Sequence, residues 1–351
     1  MINRKNTDNL GDIAINLSMR RIIESIGNEC ISEDFSNPVK IGPINTEISN
    51  TEKNKSIIYR FWRSFLNIIR HFPLLYCYVW YFQNKRLFKV LENQHVDAVV
   101  IGGGELIQSN LIFPIALYWW TSLVHRHKID KCILFAVGVT KEWNPYQKRI
   151  VCKSLKYIND IYVRDMESQH NMQVVFGRKA SLVPDAVFVN PIVYRGKVEY
   201  SLYGITDFRR IKKYSKDFAD KEAYYEYSIK EIKDIEGETQ KEVILFYTTK
   251  ADLNECRKFY AYCERMHNMY LKIANISVLD DLKAYISDAA IVVSPRMHAC
   301  ILGKLFCKDV RPILISKKMR SFAELYVNFS CDTSKSYRKQ LISAMETALN
   351  N

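Results

Sequence analysis

Two short apolar runs, each closed by glycine, constrain this chain most. Val96-Asp-Ala-Val-Val-Ile101 runs into Gly102-Gly103-Gly104, and Lys131-Cys-Ile-Leu-Phe-Ala-Val137 runs into Gly138. Near-continuous apolar runs bounded by turn residues predict strands buried on both faces, and therefore a parallel sheet covered by helices. Ile161–Val163 and Ser181–Val183 add two strands, with helices expected near 110–128, 145–159 and 166–176. This alternation predicts an open, doubly wound α/β sheet.

The pattern then restarts. Ser201–Ile205, Glu242–Tyr247, Tyr270–Ile273, Ala290–Val293 and Pro312–Ile315 read as a second set of strands. Between them lie an amphipathic stretch at 252–268 and helices at Leu279–Ser287 and 298–306, with a closing helix at 335–350. The 351 residues exceed one ordinary core. Two units are expected, an N-terminal Rossmann-like domain over 1–195 and a C-terminal one over 196–351. The charged stretch 207–241 fits no motif.

Composition narrows the function. Hydrophobic residues at 48% and charged residues at 25% exclude a disordered chain. A net charge of +13 draws anions: nucleic acid, an anionic membrane face or phosphorylated substrates. Nine cysteines without a C-x-x-C pair read as reduced, buried thiols. The polar N-terminus and the lack of a spanning apolar stretch predict a cytoplasmic protein. Residues 56–91 interleave Lys and Arg with Trp62, Phe65, Trp80 and Phe88. Two readings stand for them: a basic amphipathic helix lying in a membrane interface, or a core helix with a solvated basic face. Their aromatics cluster with Leu and Ile, which speaks against base stacking, and no nucleic-acid partner is expected.

Several signatures are missing: the Walker phosphate loop, the G-x-G-x-x-G fingerprint, H-E-x-x-H, G-x-S-x-G and D-x-D. Anion-directed chemistry with no metal site and no cofactor is the expectation. Five segments carry unusual residues just after predicted strands, where ligands of open α/β sheets bind. Asn9-Leu-Gly11-Asp12 is expected to open a helix at Ile13, where free N–H groups suit an anion or a capping Asp12. Gly102, Gly103 and Gly104 let the backbone approach a ligand, or only turn the chain. In Arg164-Asp165-Met-Glu-Ser168, Arg164 suits a carboxylate or phosphate; the alternative is a surface pair with Asp165 at a helix start. Pro184-Asp185 reads as a turn. Ser294-Pro295-Arg296-Met297-His298 sets an Arg and a His between a buried strand and an apolar helix, where polar groups need a partner or a task. His298 is suited to proton transfer near neutral pH.

Taken in order, N-x-G-D at Asn9–Asp12, G-G-G at 102–104, Gly138, R-D-x-x-S at Arg164–Ser168, P-D at Pro184–Asp185 and R-x-H at Arg296–His298 resemble the polysaccharide pyruvyl transferase family. The resemblance spans most of the chain. It implies a GT-B-like fold, two Rossmann-type domains facing a cleft. It also implies transfer of pyruvate from phosphoenolpyruvate onto a sugar of a lipid-linked oligosaccharide, as a cyclic ketal, in surface polysaccharide biosynthesis. Phosphoenolpyruvate is then a donor substrate, not a cofactor. Arg164 and Arg296 would hold its carboxylate and phosphate, and His298 would act as general acid or base. Asn9, Gly11, Asp12, Gly102, Gly103, Gly104, Asp165, Ser168 and Lys317 (or its neighbour Lys318) would form the substrate site. The acceptor would lie at the inner face of the cell membrane, a peripheral contact consistent with the positive charge. Family members usually carry a strand and glycine loop before N-x-G-D. Only eight residues precede Asn9, so a missing or very short first strand is expected. The competing readings are a GT-B-like glycosyltransferase with a sugar-nucleotide donor and a non-catalytic peripheral membrane protein.

Overall fold

The computed structural model describes residues 1–39, 42–44, 73–193, 198–326 and 328–350. Two parallel sheets organise the chain. The first contains β1 (Ile2–Asn3), β2 (Glu33–Asp34), β3 (Ala98–Ile107), β4 (Lys131–Val139), β5 (Asp160–Val163) and β6 (Ser181–Leu182), in the order β2-β1-β3-β4-β5-β6. Helices α1 (Leu10–Ser25), α2 (Pro73–Asn84), α3 (Phe113–Arg126), α4 (Pro145–Ser154) and α5 (Met166–Phe176) lie between them in sequence. The second contains β7 (Tyr200–Gly204), β8 (Val243–Phe246), β9 (Lys272–Ile273), β10 (Ala289–Ser294) and β11 (Asp309–Pro312), in the order β11-β10-β7-β8-β9. Its helices are α6 (Phe208–Tyr214), α7 (Lys221–Thr239), α8 (Lys250–His267), α9 (Leu279–Asp288), α10 (Met297–Leu305) and α11 (Lys317–Leu325). The closing helix is α12 (Cys331–Asn350).

Every strand pairing is parallel. The apolar run of β4 is buried from Cys132 to Val139, as a strand covered on both faces must be. Strand order reverses between β1 and β3 in the first sheet and between β7 and β10 in the second. Such switch points leave a crevice beyond the strand ends, where ligands of open α/β sheets bind.

The first strand is present and very short: Ile2 pairs with both Glu33 and Ile101. The triple glycine does not end its strand. β3 runs through it to Ile107, with Gly103 and Gly104 at positive φ, 73° and 78°. A Cβ on Gly103 would lie 2.0 Å from Ile15 Cγ2 of α1, so the missing side chain lets the helix lie directly on the strand. The last strand is Asp309–Pro312, not Pro312–Ile315. Pro312 has no N–H with which to extend the ladder, and Ile313 and Ile315 are buried in the loop that follows. The stretch 207–241 resolves into α6 and α7, the latter burying Tyr224, Tyr225, Ile229, Ile232 and Ile235.

Of the basic-aromatic segment 56–91, residues 56–72, with Trp62 and Phe65, lie outside the described residues. In α2, Tyr76, Cys77 and Trp80 are buried, and Phe88 packs edge-on against Trp120 at 4.7 Å. This face of α2 belongs to the core, because its rings fill the layer formed with Trp119 and Trp120 of α3. The opposite face leaves Leu75, Tyr78 and Phe82 exposed.

Helix α12 crosses back to the first sheet. It packs on α1 and on the turn Ala186–Val189, Lys131 Nζ donates to the Leu349 carbonyl, and Gln340 Nε2 donates to the Leu182 carbonyl at 3.2 Å. At the other end of α1, Leu10 N–H donates to the Thr248 carbonyl at 3.0 Å, and Lys250 N–H to Asp8 at 3.0 Å.

Candidate active site

Both switch points open into one cleft of about 820 Å³, lined by residues from the two halves of the chain. Asn9 caps α1: its side chain accepts from Gly11 N–H at 3.1 Å, so the helix starts at Leu10, before Ile13. Asp12 is therefore not the cap. It lines the cleft and pairs with Arg4 at 2.7 Å. Gly11 makes room for the site, since a Cβ there would stand 2.7 Å from His298 Nδ1.

Arg164 follows β5 and is buried, not a surface pair. Its guanidinium lies 3.3 Å from Asp185, 3.5 Å from Asp165 and 3.8 Å from Glu105. Gly138 creates the space, as a Cβ there would meet Nη2 at 2.8 Å. Burial alone would lower the pKa of Arg164, but the three carboxylates outweigh it and raise it. Asp165 caps α5 by accepting from Ser168 N–H at 2.7 Å. Ser168 Oγ accepts from Val139 N–H at 2.9 Å and ties α5 to the end of β4. Both line the cleft while holding Arg164's loop in place.

The Pro184-Asp185 turn carries more than a turn. Asp185 accepts from Val187 N–H at 3.1 Å, and its buried carboxylate also lies 3.5 Å from His298 Nε2. Burial would push this carboxyl up; His298 and Arg164 overcome that and hold it well below the usual carboxylate range. Asp185 thus links a histidine from the second half to an arginine from the first.

Arg296 occupies the cap position of α10 and makes a two-oxygen contact with Asp252, at 2.5 and 2.7 Å. Asp252 is buried and also accepts from Thr206 Oγ1 at 2.8 Å and Asp207 N–H at 3.1 Å. Burial opposes its charge, yet Arg296 and these donors lower its pKa. Arg296 is therefore fixed in orientation where it lines the cleft.

Gly103, Gly104 and Lys317 line the cleft; Gly102 does not. A Cβ on Gly102 would stand 2.2 Å from the Phe135 carbonyl oxygen, so that glycine serves strand packing, not ligand contact. Lys318, one residue beyond Lys317, brings Nζ within 3.8 Å of Glu105. Burial, then the neighbouring Arg164, pushes Lys318 down to about 8. Sequence reasoning marked Asp185 as part of the Pro184-Asp185 turn and of the family pattern but gave it no role in the site, and it gave none to Asp252 or Glu105. Asp252 stands in the first turn of α8, where an acid is common and carries no signal of its own. Among the described residues no three His, Cys, Asp or Glu side chains gather as metal ligands.

The assembled groups can bind a multiply charged anion and exchange a proton beside it. No curated protein matches the chain. Among solved structures, the chain is similar to the UDP-GlcNAc 2-epimerase from Methanocaldococcus jannaschii, at 11% identity over 100% of this chain and 92% of that one, with a TM-score of 0.52. It is also similar to the UDP-GlcNAc 2-epimerase from Neisseria meningitidis bound to UDP-GlcNAc, at 11% identity over 100% and 99%, with a TM-score of 0.49. The first likeness is one of fold, and it agrees with two Rossmann-like halves facing a cleft in the GT-B manner. A sequence model of the polysaccharide pyruvyl transferase family matches residues 9–315, from the cap of α1 to the loop before α11. That span takes in Asn9, Arg164, Asp185, Arg296 and His298 together, and the chain belongs to the polysaccharide pyruvyl transferase family.

Proposed function

We propose that this protein transfers pyruvate from phosphoenolpyruvate onto two hydroxyls of one sugar, forming a cyclic ketal, and that the sugar belongs to a lipid-linked oligosaccharide. The observation that carries the reading is His298 beside Asp185 in the wall of a cleft that also presents Arg164 and Lys318. Arg164, Arg296 and Lys318 match the donor's carboxylate and phosphate. One sugar hydroxyl adds to C2 of the enol while the methylene carbon takes a proton. The second hydroxyl then displaces phosphate at C2 and gives up its proton, so donor and sugar become ketal and inorganic phosphate. With Nε2 on Asp185, Nδ1 on the Gly11 side is the nitrogen left to exchange these protons.

The test is acceptor-dependent phosphate release with mass-spectrometric detection of the pyruvylated sugar. His298→Ala should lose about 10²–10⁴-fold in turnover while the fold survives. Turnover undiminished in that variant would remove His298 from the chemistry. A sugar nucleotide that binds where phosphoenolpyruvate does not would favour a glycosyltransferase instead.

Leu75, Tyr78 and Phe82 support a peripheral membrane contact for meeting such an acceptor: they share one exposed face of α2, and exposed Lys85, Arg86 and Lys89 follow. No helix among the described residues is long and apolar enough to cross a membrane. Phe82→Glu should lower sedimentation with anionic vesicles; unchanged sedimentation would rule this face out.

A further inference from the structure

We infer that the cleft holds a second anion subsite, built by Arg210 and Lys213 of α6 with Arg296, that takes a phosphate or diphosphate group. Four of the eight Lys and Arg side chains that line the cleft have carboxylate partners. Arg4 has Asp12, Arg164 has three carboxylates, Arg296 has Asp252, and Lys318 shares Glu105. Arg210 and Lys213 line the same cleft from one helix, and among the described residues neither has an ion pair, which is also true of Lys141 and Lys317 elsewhere on the lining. Lys213 Nζ rests 5.0 Å from the centroid of the Tyr214 ring. Partial desolvation in the cleft, then the like charge of Arg296, lowers the Arg210 pKa against the opposing charges of Asp252 and Asp12.

Asp252 is already taken by Arg296 and Asp12 by Arg4, so Arg210 and Lys213 leave a positive excess that an anion would relieve. The place fits as well. α6 follows β7, one of the two strands flanking the second sheet's switch point, and Arg296 follows the other, β10. This also gives a task to part of the charged stretch 207–241. The group bound could be the donor's phosphate or a diphosphate carried by the acceptor, and only that choice rests on the pyruvyl transfer reading.

The experiment is calorimetric titration of the full chain and of Arg210→Gln and Arg210→Gln/Lys213→Gln. The probes are inorganic pyrophosphate, phosphoenolpyruvate, a glycosyl diphosphate and the same glycoside without phosphate. Both side chains are exposed to the cleft, so the variants should fold. Pyrophosphate should bind at least about tenfold more weakly to the variants. Weakening of phosphoenolpyruvate assigns the subsite to the donor; weakening of the glycosyl diphosphate alone assigns it to the acceptor. Equal affinities of wild type and double variant for all three phosphate ligands would overturn the subsite. Wild type that binds pyrophosphate but not phosphoenolpyruvate would sink the pyruvyl reading and leave the subsite standing.

Discussion

Lys318 shows how one residue's surroundings set its chemistry. Its ammonium sits in a wall that also holds Arg164, with Glu105 the nearest carboxylate at 3.8 Å. With its pKa pushed down to about 8, Lys318 is charged at neutral pH but loses its proton within a reachable range. A trianionic donor binds best to the charged form, so the KM for phosphoenolpyruvate should rise as pH passes about 8. Lys318→Arg keeps its charge throughout and should flatten that rise. A wild-type profile already flat to pH 9 would mean that Lys318 does not contact the donor. The same depressed pKa makes the unfolded chain bind more protons between about 8 and the ordinary lysine value, so this group's contribution to stability improves as pH rises through that window. At this scale the sequence announced types but not partners. R-x-H and R-D-x-x-S marked Arg296, His298 and Arg164, yet what each touches (Asp252 of α8, Asp185 of a loop, Glu105 of β3) comes from elements far apart in the chain. No local pattern encodes such a meeting.

Elements were more readily read, because burial on two faces writes itself as uninterrupted apolar sequence. β3, β4, β8 and β10 fall on runs that could hardly be anything else. The misreadings came where a local rule met a tertiary demand. Three successive glycines ordinarily break a strand; here α1 must lie against β3, and glycine is the residue that permits it. Gly103→Ala tests that account. The new methyl would meet Ile15 Cγ2 at 2.0 Å on a backbone with φ of 73°, so unfolding stability should fall by about 2–4 kcal/mol. Adding Ile15→Ala removes the clash but not the backbone penalty. Denaturant midpoints should therefore show the double variant losing less than the sum of the two single losses. Strict additivity would mean that the glycine is needed for its φ alone. α7 was hidden for the opposite reason. Its buried Tyr and Ile positions are diluted by Lys and Glu, so the stretch reads as a solvated run until the helix is wound.

At the scale of the molecule, the cleft depends on the two halves staying in register. The chain order predicts the two sheets but says nothing of what straps them. That strap is visible in α12, which ends the chain yet packs on the first half's α1 and on the turn after Asp185. Leu341, Met345 and Ala348 are its buried residues near those contacts. Its amphipathic pattern could be read from sequence; its destination could not, because the faces that receive it are ordinary core surface. α1 and the Asp185 turn also form the wall against which His298 is held. Packing lost under α12 should therefore reach the site without any substitution in it. Leu341→Ala should cost about 3 kcal/mol by cavity formation. At a temperature where the variant is still folded, its KM for phosphoenolpyruvate should rise, and Leu341→Met, which nearly conserves volume, should restore both stability and KM. A variant that melts earlier but keeps the wild-type KM would show that α12 only stabilises the fold, with His298 and Asp185 held in place by the contacts between α1 and the β8–α8 loop instead.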